Sequence, residues 1–360
     1  MTQSDDLSKL DSVGPATEEK LIDAGYTTYQ AVAVASSGDL ADKADIGDTT
    51  AATVIASAKE KADIGGFKTG VEENERRKQM AKITTGVNAV DKMLAGGIET
   101  GAITEFYGGF GSGKSQMTHQ LAVNVQLPVE YGGANGRAIF IDTEDSFRPE
   151  RITQMVKGLD AEVLEAVIER DGLSMTVQEI KDSVIQDSDG RPIMEGTPAN
   201  EIAEVFLSRI HLAKAYSSEH QVLLGEMAEE LANDYADDDF TVKLIAVDSV
   251  MAYLRSEFVG RGELAPRQQR LGKHLATLKQ ITELHNTAVV LANQVMSNPD
   301  AYFGDPTKPI GGNILGHTST FRLYIRNSKG TKRVVRLVDA PNLEDGEAVM
   351  RVETEGLKDE

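Results

Sequence analysis

Eight consecutive residues, Gly108, Gly109, Phe110, Gly111, Ser112, Gly113, Lys114 and Ser115, satisfy the pattern G-x-x-x-x-G-K-[ST]. The chemistry of that pattern is phosphate binding. Its glycines let backbone N–H groups wrap phosphate oxygens, and the helix that follows turns its positive end on them. In such a loop Lys114 reaches the β- and γ-phosphates of ATP, and the Ser115 hydroxyl ligates Mg2+. A second metal ligand is expected as an aspartate ending an apolar strand, and Leu244-Ile-Ala-Val-Asp248-Ser249 supplies Asp248. Another apolar run, Ile139-Phe-Ile-Asp142-Thr-Glu144, also ends in carboxylates. Hydrolysis needs a group that orients and deprotonates water. Glu144 is the expected general base, with Asp142 or Asp145 as alternatives.

These residues work only if elements hold them. The run 102–107 (AITEFY) precedes the phosphate loop, and a helical stretch at 115–126 follows it. Further β-type runs lie at 137–142, 242–248, 287–292, 321–325 and 334–338, with a long helical stretch at 266–285. Alternating strands and helices predict an α/β core with a largely parallel central sheet and ligands at the carboxyl ends of its strands. Upstream, 1–65 reads as short Ala-rich helices broken by Gly and Asp. Leu10–Leu21 and Lys43–Val54 each set a small Gly turn (Gly14, Gly47) before a helix start, the helix-hairpin-helix pattern whose turn amides meet a phosphate. The expected organisation is a helical DNA-binding domain at 1–65, a polar linker at 66–80 and the ATPase core at 81–360. Within the core, about 165–198 is expected to be an acidic surface insertion.

The length, 360 residues, suits two or three domains, and 40% hydrophobic residues suffice for a core. Zero cysteines exclude disulfides, thiolate catalysis and cysteine zinc sites. No apolar run of about 18 residues occurs, and residues 1–20 lack the regions of a signal peptide. A cytoplasmic protein with no membrane partner is expected. A net charge of -20 on its own argues against nucleic acid. The charge is uneven, however. Arg255–Arg336 holds thirteen Lys/Arg and five Asp/Glu, a net +8, which leaves -28 on the rest. The scattered acid reads as a surface adapted to concentrated salt, that is, a halophile's. The basic window is a candidate anion-binding face.

Several motifs in order are more specific than one phosphate loop. ITTGVNAVDKMLAGGIETGAITEFYGGFGSGKSQ at 83–116, IDTEDSFRPER at 141–151, VGRGELAPRQQRLGKHL at 259–275, ANQV at 292–295, GDPTKPIGGNILGHTSTFRLYIR at 304–326 and VDAPNLEDGEAV at 338–349 all belong to one pattern. From about Leu7 to Gly356 the chain resembles the archaeal RadA recombinases among the RecA-type strand-exchange ATPases.

The resemblance implies a DNA-stimulated ATPase that forms helical filaments, or rings, on single-stranded DNA. It would pair that strand with a homologous duplex and exchange strands. Gln116 closes the phosphate-loop motif, Arg151 stacks on adenine, and Gln294 senses the γ-phosphate. Two loops hold DNA, at about 254–267 with Arg255 and Arg261, and at about 295–312 with Lys308, Gly311 and Gly312. His317 and Asp339 reach a neighbour's nucleotide. Phe67, with Gly70 where a small Ala is common, anchors on the adjacent subunit. Glu344 stands where relatives often carry Pro. Recombinase paralogs or mediators are further partners, and a nucleoid association follows from the DNA. Two other readings stand beside this one: a recombination accessory ATPase that binds DNA without exchanging strands, and a hexameric ring helicase of the same core fold.

Overall fold

The computed structural model describes residues 5–62, 66–193, 195–297 and 307–360. The chain divides into two units, Met1–Gln79 and Met80–Glu360.

The first unit is all helical. α1 (Pro15–Asp23), α2 (Tyr29–Val34), α3 (Ser37–Lys43) and α4 (Asp48–Lys61) enclose a small core of Leu7, Leu21, Val32, Leu40, Val54 and Ala58. Gly14 and Gly47 stand directly before α1 and α4, in extended conformation. The stretch expected to be a plain linker contains a fifth helix, α5 (Gly70–Lys78). Thr69 and Glu72 form a reciprocal capping box that starts it. It buries no residue, so no apolar stripe announces it in the sequence.

The second unit opens with a small ribbon, β1 (Lys82–Ile83) and β2 (Ile98–Glu99), around α6 (Asn88–Met93). There follow β3 (Ile103–Gly108), α7 (Lys114–Asn124), β4 (Arg137–Asp142), α8 (Pro149–Lys157), α9 (Ala161–Asp171), α10 (Val177–Asp182), α11 (Pro198–Ser208) and β5 (Ile210–Lys214). Next come α12 (Ser218–Asp234), β6 (Val242–Asp248), α13 (Ala252–Glu257), α14 (Leu264–His285), β7 (Ala288–Ser297) and β8 (Thr307–Pro309). The chain closes with α15 (Gly312–Thr318), β9 (Phe321–Asn327), β10 (Lys332–Asp339), β11 (Gly346–Glu353) and β12 (Gly356–Asp359).

Among the described residues the main sheet runs β12-β11-β10-β9-β3-β7-β6-β4-β5, with β8 paired to β7. β9, β3, β7, β6, β4 and β5 are mutually parallel, and β9 to β12 form an antiparallel meander. Successive side chains of a strand point to opposite faces, so each central strand feeds two cores. Phe106, Phe140, Leu244 and Ala246 pack with Met117, Leu121, Ile152 and Met155 on one face. Ile103, Ile139, Ile245 and Val247 pack with Leu224, Leu271, Leu275 and Leu278 on the other.

Three sequence expectations change here. The segment expected as a loop over 254–267 is largely helical, because α13 runs to Glu257 and α14 starts at Leu264. Of the expected loop over 295–312, 295–297 belong to β7, Thr307–Pro309 form β8 and Gly312 starts α15; residues 298–306 lie outside those described. The 165–198 stretch is not detached surface, because Val167 and Ile180 are fully buried in the core.

Candidate nucleotide site

Sheet register assembles the site. In β3, Gly108 lies opposite Gln294 of β7; in β4, Asp142 lies opposite Asp248 of β6. The phosphate loop, Asp248, Glu144 and Gln294 therefore converge at the carboxyl ends of neighbouring parallel strands. A cleft of about 720 Å³ lies there, lined by Gly108 through Gln116 and by Glu144, Arg151, Asp248 and Gln294.

The loop's glycines are needed for reasons that can be named. A Cβ at Gly108 would sit 2.1 Å from the Ile325 carbonyl, and Gly113 starts α7 at φ +103. Phe110 is exposed at the loop tip. Lys114 Nζ donates to the carbonyls of Gly108 and Gly109 at 2.9 and 3.0 Å, which places its charge at the loop's centre. Burial pulls the Lys114 pKa down, and Asp248 and Glu144 pull it back up.

Asp248 is 1% exposed. Burial raises its pKa, opposed by hydrogen bonds from the Ser115 and Ser146 hydroxyls; Ser146 Oγ lies at 3.1 Å. An acceptor-rich carboxylate beside a hydroxyl is a fitting pair of protein ligands for Mg2+. The described residues contain no group of three or more His, Cys, Asp or Glu that could hold a metal ion.

The three candidate bases separate. Glu144 is exposed to the cleft, and its Oε1 accepts from Gln294 Nε2 at 2.7 Å. Asp142 is buried and spent on its own loop, accepting from the amides of Glu144, Ser146 and Phe147. Asp145 pairs with Lys214 and does not line the cleft. Thr143 and Ser249 lock the two strand tips together, with bonds of 2.8 and 2.7 Å. His119 braces this layer from below. Its Nε2 accepts from Arg148 N at 3.2 Å, so Nδ1 carries the proton that reaches Ser115 O at 2.6 Å. Its pKa is lowered, chiefly by burial.

Arg151 forms one end of the cleft. Its guanidinium donates to Gln116 Oε1 at 2.6 Å, Gln154 Oε1 and Glu353 O at 2.8 Å, and the carbonyl of Thr354. These four bonds fix the plane of the guanidinium at the cleft.

Other expected residues lie elsewhere. His317 and Asp339 are exposed and outside the cleft, as is Glu344. Arg255 is exposed on α13, Lys308 is exposed on β8, and Gly311 and Gly312 both take positive φ at the start of α15. Arg261 opens a short 3-10 turn. In the first unit Phe67 is fully exposed and a Cβ at Gly70 would meet nothing.

Sequence reasoning missed Arg333, Val352, Glu353 and Thr354, which close the cleft from the antiparallel meander. It also missed a buried network beside Gln294. Glu105 is fully buried in β3, pairs with Arg322 Nε at 2.7 Å and accepts from Asn293 Nδ2 at 2.7 Å. The same Asn293 amide donates to Ile310 O at 2.6 Å, and Ile310 N donates to Gln294 O at 3.0 Å. One carboxylate in an apolar run was the only available signal.

Comparison with known proteins identifies the family. The Rad51 family model matches residues 76–175 and 199–360, and a model described as a SAM-like helix-hairpin-helix tandem matches 4–60. The chain is 57% identical over 355 residues to the DNA repair and recombination protein RadA of Halobacterium salinarum, covering 99% of both. It is 55% identical over 356 residues to that of Haloferax volcanii, again 99% of both, and 52% identical over 353 residues to that of Methanoculleus marisnigri, 98% of both. The chain belongs to the Rad51 family, among its archaeal RadA members.

Proposed function

We propose that this chain is an ATP-dependent DNA recombinase that assembles on single-stranded DNA, aligns it with a homologous duplex and exchanges strands. One observation carries the chemistry. The phosphate loop, Ser115 beside Asp248, and the bonded pair Glu144–Gln294 meet in a single cleft. The relatives are named for DNA repair and recombination over nearly the whole length that this chain matches. The family fits a DNA-dependent ATPase that works as a homo-oligomer.

Loop amides and Lys114 hold the triphosphate; Ser115 and Asp248 would hold a magnesium ion, which would supply neutralising charge to the phosphate oxygens. Glu144 orients a water molecule in line with the γ-phosphorus and takes its proton. The new P–O bond forms as the bond to the ADP oxygen breaks, giving ADP and phosphate. Gln294, bonded to Glu144 and one step along β7 from Val295, responds to the γ-phosphate and passes that state toward the segment beyond Ser297. Arg151 offers its guanidinium face to the adenine.

The oligomer reading rests on Phe67, a large apolar side chain left fully in water next to a helix that buries nothing. His317 and Asp339, exposed and away from their own cleft, suit contact with a neighbour's nucleotide. Arg255, Arg261 and Lys308 supply DNA-facing charge within the basic window. Gly14 and Gly47 of the helical unit suit phosphate contact. No helix among the described residues is long and apolar enough to cross a membrane. A DNA substrate puts the working site at the nucleoid.

Lys114→Ala is expected to abolish ATP turnover with and without single-stranded DNA while strand exchange is lost in parallel. Wild-type turnover in that variant overturns the site. Electron microscopy with ATP and single-stranded DNA is expected to show helical filaments; closed rings alone would favour a helicase.

A further inference from the structure

The Rad51 family model leaves residues 176–198 unmatched, yet this inserted stretch is tied firmly to the core. Thr176 and Glu179 form a capping box that starts α10, and Ile180 is fully buried. Lys181 Nζ donates to the carbonyls of Lys157, at 2.7 Å, and Leu159. Lys157 ends α8 and Leu159 lies just past its cap, where helix geometry leaves acceptors without partners and favours a cation. Lys157 Nζ returns a bond to the carbonyl of Ser183. Ser183 Oγ in turn accepts from Ala199 N at 3.2 Å, so the stretch from 184 to 197 leaves and re-enters the fold at adjacent points. Asn200 Nδ2 donates to Ile193 O at 2.7 Å and fixes the returning limb.

What this stretch covers is the outer side of α8. Ile185, Pro192 and Ile193 share one crevice with Glu150, Thr153 and Gln154. Gln154 Oε1 is the acceptor of Arg151 Nη1, at 2.8 Å. The inserted segment therefore borders the same crevice as the residue that holds the guanidinium, while the segment itself does not line the nucleotide cleft.

We infer that residues 176–198 are a brace for the nucleobase clamp. By capping α8 and bordering the crevice of Gln154, they hold Arg151 in its stacking position and raise affinity for the base without changing grip on the phosphates. A guanidinium already held in place loses less rotamer freedom on binding than one that must first be ordered. The inference rests on the proposed stacking of Arg151 on adenine, and acts through Gln154 as a positioning residue.

The test removes 184–197 from the full-length protein and joins Ser183 to Pro198 through two glycines, a span that the Ser183–Ala199 bond shows to be short. Dissociation constants for ADP and for inorganic pyrophosphate, both with Mg2+, are measured by calorimetry. ADP is expected to bind about 3- to 10-fold more weakly, on the scale of one side chain's ordering cost, with pyrophosphate unchanged. Gln154→Ala is expected to show the same loss, and adding the excision to it no further loss, because coupled residues are not additive. If the excised protein does not fold, Lys181→Met and Gln154→Ala carry the comparison. Unchanged ADP binding, or an equal loss for pyrophosphate, overturns the brace. Arg151→Ala separates the two layers: unchanged ADP binding there overturns the stacking itself, whereas a loss there with none on excision overturns only the brace.

Discussion

His274 lies at the centre of α14 with its ring against Gly225 of α12, whose notional Cβ would sit 3.1 Å from Nδ1. It is 1% exposed, and neither ring nitrogen has a partner. Burial lowers its pKa from 6.5 to about 4. The folded value is below the unfolded one, so the unfolded state takes up the proton first. Stability is fully present above pH 6.5 and is lost as pH falls from there toward 4. At pH 5.0 the linkage relation gives a loss of about 2 kcal/mol from this one group, and almost none at pH 7.5. His274→Leu removes the group while keeping its approximate volume. At pH 7.5 the variant is expected to match or exceed the wild type, because an unpartnered polar ring is exchanged for an apolar side chain. At pH 5.0 it is expected to be more stable by about 2 kcal/mol, roughly 4–8 °C in Tm. His285, also lowered to about 4 by burial, is present in both proteins and cancels in the difference. Calorimetric or urea unfolding of both proteins at the two pH values is the assay. Equal losses on acidification in wild type and variant would refute the reasoning.

Two further outcomes follow from the buried network and the basic window. Arg322→Met leaves the Glu105 carboxylate buried without its cation and is expected to cost about 3–5 kcal/mol in urea unfolding, whereas the pair Glu105→Leu with Arg322→Met recovers most of that. A double variant no more stable than the single one counts against the pairing. Lys308→Ala is expected to flatten the dependence of log affinity for single-stranded DNA on log salt by about 0.7, with ADP binding unchanged; an identical slope removes Lys308 from the DNA contacts.

The cleft was legible in the sequence because its parts are local. Gly108 to Ser115 must be contiguous to wrap a phosphate, and Asp248 had to end an apolar strand. Glu144 could not be told from Asp142 and Asp145 by type alone. The structure separates their surroundings: Asp142 caps its own loop, Asp145 turns to Lys214, and Glu144 lines the cleft. Residues that act across long separations left no such trace. Arg333 and Thr354 enter from an antiparallel meander whose strands β11 and β12 are only partly apolar, and Arg322 meets Glu105 across 217 positions. α5 was illegible for the opposite reason: its capping box is local, but no buried face gives it a helical period.

The inserted stretch shows how charge can mislead. Its acidic composition reads as surface, and Asp187 and Asp189 do lie in water. The residues that fix it in place are the opposite kind: Lys181 at the end of α8, and Ile180, Ile185 and Ile193 against the core or the crevice. The whole chain repeats that division. Its -20 is the sum of an acidic majority and a basic window that spans β7, β8 and α15. Concentrated salt screens repulsion within the majority, but it also weakens any ionic contact the minority makes with DNA. Binding that survives such salt must draw on contacts that release few counterions, such as backbone amides at the glycine turns and contacts between neighbouring protomers. On that argument Phe67→Ala, which touches no phosphate, is expected to lower DNA affinity more at high salt than at low. A loss that shrinks as salt rises would show that ionic contacts, and not assembly, carry the binding.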